Sequence, residues 1–282
     1  MGAPRRRTLR GVLPFVPSDA GLLALQAAVV AAPKPASRLP ILERLHGRGW
    51  ALVPIGSIVA VVFAIRYVSD TATGLTYLAL VAVPLLAAAA LGWAARGATP
   101  IAALAAVPVF VLAWLAKTSL AGEAAGAILS ALSCVTLGVL LAAVTPPSWL
   151  KAGIVLMAAA DTWLVVSDLL QAPNATLIAA HPAAGLPQLQ SEVFGTVSMG
   201  YGDLFVAALL GAVYAGRRRR QLTAALLTLL IAALFDLLFL TLSELPATVP
   251  VALALIAIEL QDRVSAARRP SMRAAAIPRR AR

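Results

Sequence analysis

The chain has 282 residues, of which 61% are hydrophobic and only 12% are charged, and its mean hydropathy is +0.89. A soluble domain carries about twice that charge, so the composition excludes an ordinary soluble protein and indicates an all-α polytopic membrane protein. The net charge of +11 does not indicate nucleic-acid binding, because the basic residues flank apolar segments. A single cysteine, Cys134, in an apolar run, and two histidines outside such runs predict neither a metal site nor a cofactor.

Residues 1–49 form a basic leader interrupted by prolines. Its apolar stretch, residues 20–32, is thirteen residues long, whereas a membrane span needs about 20. We predict an interfacial helix at this stretch. A degenerate additional span and the core of a signal peptide are the alternatives.

Longer apolar runs follow the leader, each close to the length that crosses about 30 Å of hydrocarbon. We predict spans at 51–68, 74–95, 99–116, 124–144, 149–170, 197–216, 221–242 and 246–260. Most connections are short, so successive helices should be antiparallel neighbours. The predicted fold is a bundle of about eight transmembrane helices. It divides into four helices at 50–145, four at 146–262 and a basic tail at 263–282.

The positions of the basic residues predict the orientation of the bundle. With both termini in the cytoplasm, 21 of the 23 Lys and Arg residues fall on the cytoplasmic side, as the positive-inside rule requires. The long connection 171–196 contains no Lys or Arg, so we expect it to be external. A loop of that length in a compact bundle is usually functional, here as a lid or gate. Alanine and arginine enrichment is typical of a GC-rich bacterial genome, so we predict the bacterial inner membrane.

Four aspartates fall within predicted spans: Asp161, Asp168, Asp203 and Asp236. A carboxylate in the bilayer costs about 2.5 to 3.5 kcal/mol on insertion scales, so each is a candidate functional residue. Asp161 is nine residues before the predicted outer end of its span, about 13 Å deep. Asp203 is six residues after the predicted start of the next span, about 9 Å deep. Neighbouring antiparallel helices would bring these two together, with Asp236 as the rival partner and Asp168 nearer the external mouth.

Two carboxyl groups in contact at a low-dielectric site hold one proton between them and titrate as a unit. The ionised group can take a proton from water while the protonated group polarises a peptide carbonyl, as in aspartic proteases. The competing interpretation is a pair of packing aspartates that are hydrogen-bonded to polar side chains. Two glycines just before Asp203 thin the helix and favour the functional interpretation.

The segment Gly200-Tyr201-Gly202-Asp203 resembles the GxGD signature of intramembrane aspartyl proteases, the presenilin and signal peptide peptidase family. Asp161 is similar to the other family aspartate, although Ala160 stands where the family has tyrosine. Leu245-Pro246-Ala247 resembles the motif that opens the family's last span, with Thr248 in place of leucine. The resemblance extends over roughly 149–260.

This resemblance implies a catalytic pair, Asp161 and Asp203, and substrate contacts from the two motifs, which are Gly200, Tyr201, Gly202, Leu245, Pro246 and Ala247. The implied substrates are transmembrane segments such as signal-peptide remnants or type II anchors. Because Pro246 has no amide donor, the chain around it could receive an extended substrate strand. The partners are then the substrate and the lipid bilayer, with no nucleic acid.

Two rival functions fit the same residues. A prepilin-peptidase-like GxGD protease would hold its aspartates nearer the cytoplasmic side and usually has lysine after GxGD, where this chain has Leu204. A transporter or channel could use the aspartates to carry protons or cations. It should show two related halves with interrupted spans, and the sequence shows none.

Overall fold

The computed structural model is helical almost throughout. It describes residues 17–35, 45–67, 70–167, 169, 171–180, 182, 185–190, 192–195, 197–240 and 245–267. Asp168, the first sixteen residues of the leader and the end of the basic tail lie outside these residues.

Among the described residues, the first half of the chain contributes five helices. They are α1 Pro17–Ala31, α2 Val53–Tyr67, α3 Thr71–Ala89, α4 Ala106–Leu115 and α5 Leu120–Val144. A 3₁₀ turn at Arg48–Leu52 leads into α2, a π turn at Ala90–Ala94 extends α3, and a 3₁₀ segment at Pro100–Ala105 leads into α4.

The described part of the second half contributes five helices and a short hairpin. They are α6 Pro147–Val166, α7 Gln171–Ala179, β1 Glu192–Phe194, β2 Val197–Met199, α8 Tyr201–Tyr214, α9 Arg218–Phe235 and α10 Thr248–Ala267. A 3₁₀ turn at Asp236–Leu240 extends α9. The strands pair antiparallel, with Val193 opposite Ser198.

Local sequence signals explain where several helices begin. The Ser119 hydroxyl accepts the amide of Gly122 at the start of α5, and Thr99 accepts that of Ala102 before α4. Each satisfies a backbone donor that has no partner inside the helix. Pro147 occupies the first turn of α6, where a missing amide costs nothing.

Helix α8 is the centre of the bundle. It packs against α1, α5, α6, α9 and α10, and its residues from Val206 to Gly211 are all buried. Gly138 of α5 lies so close to Ala208 that a Cβ at position 138 would be 2.9 Å from the Ala208 backbone. Small residues of this kind let membrane helices approach closely. The segment that contains the GxGD motif therefore opens a helix that packs against five others.

The helix predicted to be interfacial at 20–32 is α1, and it packs inside the bundle against α8 and α9. Leu22 and Val30 are fully buried, and the fully buried Gln26 donates to the carbonyl of Ala247. A Cβ on Gly211 would overlap the carbonyl oxygen of Val30, so α1 and α8 are in direct backbone contact. An additional short span at this position stays a prediction.

Each of the eight predicted spans contains a helix, but the lengths of these helices differ from one another and from the predicted lengths. Among the described residues, five helices are long and apolar enough to cross a membrane: Arg48–Ile65, Thr71–Ala94, Leu120–Val144, Pro147–Val166 and Arg218–Leu238. Helices α1, α8 and the segment Pro100–Leu115 are apolar but shorter. Large apolar side chains such as Leu85, Leu104 and Val166 are 66 to 80% exposed, as expected of surfaces that face lipid. The chain is thus consistent with an all-α membrane protein.

Candidate active site

Helices α6, α8 and α10 are joined at one end by a polar cluster. Lys151 of α6 and Tyr214 of α8 both contact the same carboxylate oxygen, Oε1 of Glu259 in α10, each at 2.7 Å. The Lys151 ammonium also lies 5.8 Å from the centre of the Tyr214 ring. We call this the basic end of the bundle, since Arg96 and Arg217 to Arg220 lie there too. The opposite end, with Asp161 and Asp203, we call the carboxylate end.

The cluster at the basic end sets the level of residues further along each helix. Asp161 is ten residues from Lys151, Asp203 is eleven from Tyr214, and Thr248 is eleven from Glu259. At 1.5 Å per residue, each is about 15 to 17 Å from the cluster. Because the three helices pack against one another, Asp161, Asp203 and Thr248 lie at one level of the bundle.

Asp161 contacts the last helix directly. The hydroxyl Oγ1 of Thr248 donates to Oδ2 of Asp161 at 2.6 Å, a short hydrogen bond of the kind made to an ionised acceptor. Thr248 is 3% exposed, so water does not compete for the carboxylate at that position. Thr248 stands where the motif that this segment resembles has leucine, and it is the residue that contacts Asp161, the predicted catalytic aspartate.

Asp203 occupies the first turn of α8. Its Oδ2 accepts the amide of Gly200 at 3.0 Å, and its own amide donates to the Gly200 carbonyl at 3.0 Å. This reciprocal pair is a capping arrangement that fixes the start of the helix. Gly200 and Gly202 leave room beside the carboxylate, since the space around Gly202 is open for at least 4 Å.

The helix ends in the structure make both carboxylates shallower than the sequence predicts. Helix α6 ends at Val166, not Leu170, and α8 begins at Tyr201, not Val197, because residues 197–199 form β2. Asp161 is thus five residues from its helix end and Asp203 is two from its helix start. The polar Ser198 and the glycine at 200 explain the later start.

The other motif residues take several positions. The Tyr201 hydroxyl bonds to Ser133 of α5 at 2.7 Å, which directs it away from α6. Pro246 is buried, Leu245 and Ala247 are half-buried, and the Ala247 carbonyl accepts from Gln26 at 3.0 Å. The last-helix motif is thus held by α1 on one side and by Asp161 of α6 on the other.

Asp236 does not take the place assigned to Asp161. It lies at the carboxylate end of α9, where its carboxyl group is next to that of Asp19 in α1. Both residues are more than nine-tenths buried, and Oδ2 of Asp236 has no partner among the described residues. Sequence reasoning missed this pair because it left α1 outside the bundle.

The predicted lid, 171–196, is structured where it is described, and it contains α7 and β1. The Lys117 ammonium donates to the carbonyl of Gly185 at 2.6 Å, and the amide of Gly195 donates to Glu123 at 2.7 Å. Between this segment and α5 lies a cavity of about 630 Å³. The hairpin ends at Met199, one residue before the GxGD motif.

Within the part of the chain that the structure describes, no group of three or more His, Cys, Asp or Glu residues could hold a metal ion. No protein-family model, curated protein or solved structure matches this chain.

Proposed function

We propose that this protein is an intramembrane aspartyl protease that hydrolyses peptide bonds in transmembrane segments with Asp161, Asp203 and a water molecule. One observation carries the proposal: the Thr248 hydroxyl links Asp161 to the last-helix motif at the level of Asp203. These residues come from three segments that are far apart in sequence and belong to three helices that pack against one another.

In the proposed reaction the two carboxyl groups hold one proton. The ionised group takes a proton from water as the water oxygen attacks the scissile carbonyl, and the protonated group gives its proton to the carbonyl oxygen. The tetrahedral intermediate then breaks its C–N bond. The leaving amine takes the proton that came from water, and a hydroxyl of the intermediate returns a proton to the other carboxylate, so the pair again holds one proton. The residues around Pro246 bind the unwound substrate strand, and the open space beside Gly202 admits the scissile bond.

The test is cleavage of a tagged single-span substrate with its N-terminus in the cytoplasm, either a signal-peptide remnant or a type II anchor. Wild type is compared with Asp161→Asn and Asp203→Asn, which keep side-chain size but cannot share a proton. The matched control is Asp70→Asn in the exposed α2–α3 connection. Asp70 has φ of +68°, a conformation that asparagine tolerates, so this change preserves the fold.

We expect both site variants to lose cleavage while they insert and express normally, and we expect Asp70→Asn to cleave as wild type does. Retention of cleavage by either site variant would end the proposal. If Asp70→Asn loses activity as well, the losses report general damage and the pair is not catalytic.

The contact between Asp19 and Asp236 favours a second candidate, a proton- or cation-coupled transporter. A buried carboxyl pair inside a membrane bundle is the kind of group that carries protons. Proton flux into liposomes that contain the purified chain separates the two functions. The transporter requires flux that Asp236→Asn abolishes and Asp161→Asn does not, whereas the protease requires the opposite dependence for cleavage.

A further inference from the structure

Two arginines at the basic end share one neutral acceptor. Arg96, just after the π turn of α3, donates from Nε to Oε1 of Gln221 at 2.9 Å. Arg218, at the start of α9, donates from an Nη to the same oxygen at 3.0 Å. The two donor nitrogens are therefore no more than about 6 Å apart, the sum of two hydrogen bonds of ordinary length.

The rest of this cluster is also neutral. The Gln221 side chain is fully buried, and its amide donates to the carbonyls of Pro33 and Gly211 at 2.8 and 3.1 Å. Arg218 donates to the carbonyl of Ala31 and Arg96 to that of Ala215. Each of these acceptors is an amide oxygen that carries no formal charge.

No carboxylate offsets the two positive charges in the part of the chain that the structure describes. The salt bridges there join Lys151 to Glu259 and Arg220 to Asp262, and neither involves Arg96 or Arg218. Burial, and after it the charge of Arg218, lower the pKa of Arg96. Two like charges held this close destabilise each other unless an anion lies between them.

The neighbouring residues place this cluster at the level of lipid headgroups. Lys34 lies over the ring of Trp93 at 5.6 Å, and its backbone amide donates to the carbonyl of Ala94 beside Arg96. Tryptophan and lysine at the end of an apolar helix mark the membrane–water interface. Arg218 is exposed and Arg96 is half-buried, so a group in that layer can reach both guanidinium groups.

We infer that Arg96 and Arg218 form a binding site for the phosphate of an anionic phospholipid. A phosphate diester carries the charge that the pair lacks and accepts the forked hydrogen bonds that guanidinium groups make. Through Gln221 the site joins the end of α1 to the end of α8, so lipid binding stabilises the junction of these two helices. The inference is independent of any catalytic role of Asp161.

The test uses the purified full chain in nanodiscs of phosphatidylcholine, alone or mixed with phosphatidylglycerol. Retained phosphatidylglycerol is measured by native mass spectrometry, and the thermal unfolding midpoint is measured in both lipids. The variants are Arg96→Gln and Arg218→Gln. The matched control is Arg219→Gln, which removes one charge from the same exposed arginine run.

We expect phosphatidylglycerol to raise the unfolding midpoint of wild type. Either site variant should lower the affinity for this lipid by roughly tenfold or more, as for the loss of charge-assisted hydrogen bonds. Arg219→Gln should lower it by at most about fivefold, the effect of one nearby surface charge. If all three variants lose affinity equally, the attraction is diffuse and there is no site.

Two further measurements complete the test. One distinguishes binding of the lipid from binding of free phosphate, and the other distinguishes loss of the binding site from loss of folding. Inorganic phosphate added to phosphatidylcholine nanodiscs should leave the midpoint unchanged, and an equal rise would refute the lipid and assign the site to free phosphate. Should Arg96→Gln fail to fold, Arg96→Lys keeps the charge but loses the forked geometry. Its affinity for phosphatidylglycerol should lie below that of wild type, and an unchanged affinity would overturn the site.

Discussion

Removal of the Thr248 hydroxyl tests the contact on which the candidate site depends. Thr248→Val keeps the branched shape and deletes the 2.6 Å hydrogen bond to Asp161. Hydrogen bonds to charged groups contribute about 1.5 to 3 kcal/mol, and water cannot replace this one because Thr248 is 3% exposed. If the bond positions Asp161 for attack, the cleavage rate falls by about 10- to 100-fold. Cleavage in proteoliposomes and the thermal unfolding midpoint are measured on the same preparation.

Two controls separate this contact from the general effect of removing a buried hydroxyl. Thr248→Ser retains the donor and should keep most of the activity. Thr228→Val deletes a fully buried hydroxyl that has no partner among the described residues, so it should be neutral or stabilising. Full cleavage by Thr248→Val, or equal losses in the serine and valine variants, would refute the role given to the hydrogen bond.

Two other changes test the place of α1 in the bundle. Gly211→Ala puts a methyl group against the Val30 carbonyl and should lower the free energy of unfolding by about 1 to 3 kcal/mol. Gly216→Ala puts its methyl group into open space and should change that free energy little. Denaturation of the two variants gives the comparison, and equal stabilities would contradict the packing. Asp236→Ala should lower the unfolding midpoint because it leaves Asp19 buried without its partner. Asp236→Asn keeps a hydrogen-bonding group beside Asp19 and should preserve the midpoint. Equal midpoints of the two variants would argue against the pair.

The positions of the long helices could be predicted from the sequence because apolar run length reports directly on the bilayer. Every predicted span contains a helix, and the longest ones, such as α5, agree at their ends to within four residues. Ser119 and Pro147 set the helix starts at Leu120 and Pro147, four and two residues before the predicted starts of these spans. The start of α8 was missed because β2, which contains the apolar residues Val197 and Met199, leads almost directly into the helix, so the apolar run begins before the helix does.

The role of α1 could not be predicted from its length. The rule of about 20 residues assumes that a helix covers the hydrocarbon by itself. Helices α1 and α8 have 15 and 14 residues, and they pack together among longer helices. The longer helices therefore cover the part of the hydrocarbon thickness that α1 and α8 do not reach. Their backbone ends are also satisfied by protein, as at the Ala31 carbonyl, which accepts from Arg218. Gln26 was the signal in the sequence, because a lone amide in an apolar run requires a buried partner.

The candidate site could be predicted in part. The sequence indicates Asp161, Asp203 and the last-helix motif as landmarks, and the structure places Asp161 and the motif in contact through Thr248. The identity of the contacting residue could not be predicted, since a threonine in a first turn also fits an ordinary helix start. The Asp19–Asp236 pair could not be predicted from the sequence because it depends on where α1 packs.

The two ends of the bundle are held by different kinds of contact, and this difference bears on how a substrate could enter. At the basic end, Glu259 joins three helices through an ion pair and a hydroxyl, and Gln221 makes four hydrogen bonds. At the carboxylate end, Thr248 joins α10 to Asp161 of α6, Gln26 of α1 donates to the carbonyl of Ala247, and α8 is capped by its own residues. In the proposed protease, a substrate strand that reaches the two aspartates would have to separate α10 from α6 at the carboxylate end. The contacts of Glu259 at the basic end would then keep the three helices in register while the contact between Thr248 and Asp161 is broken.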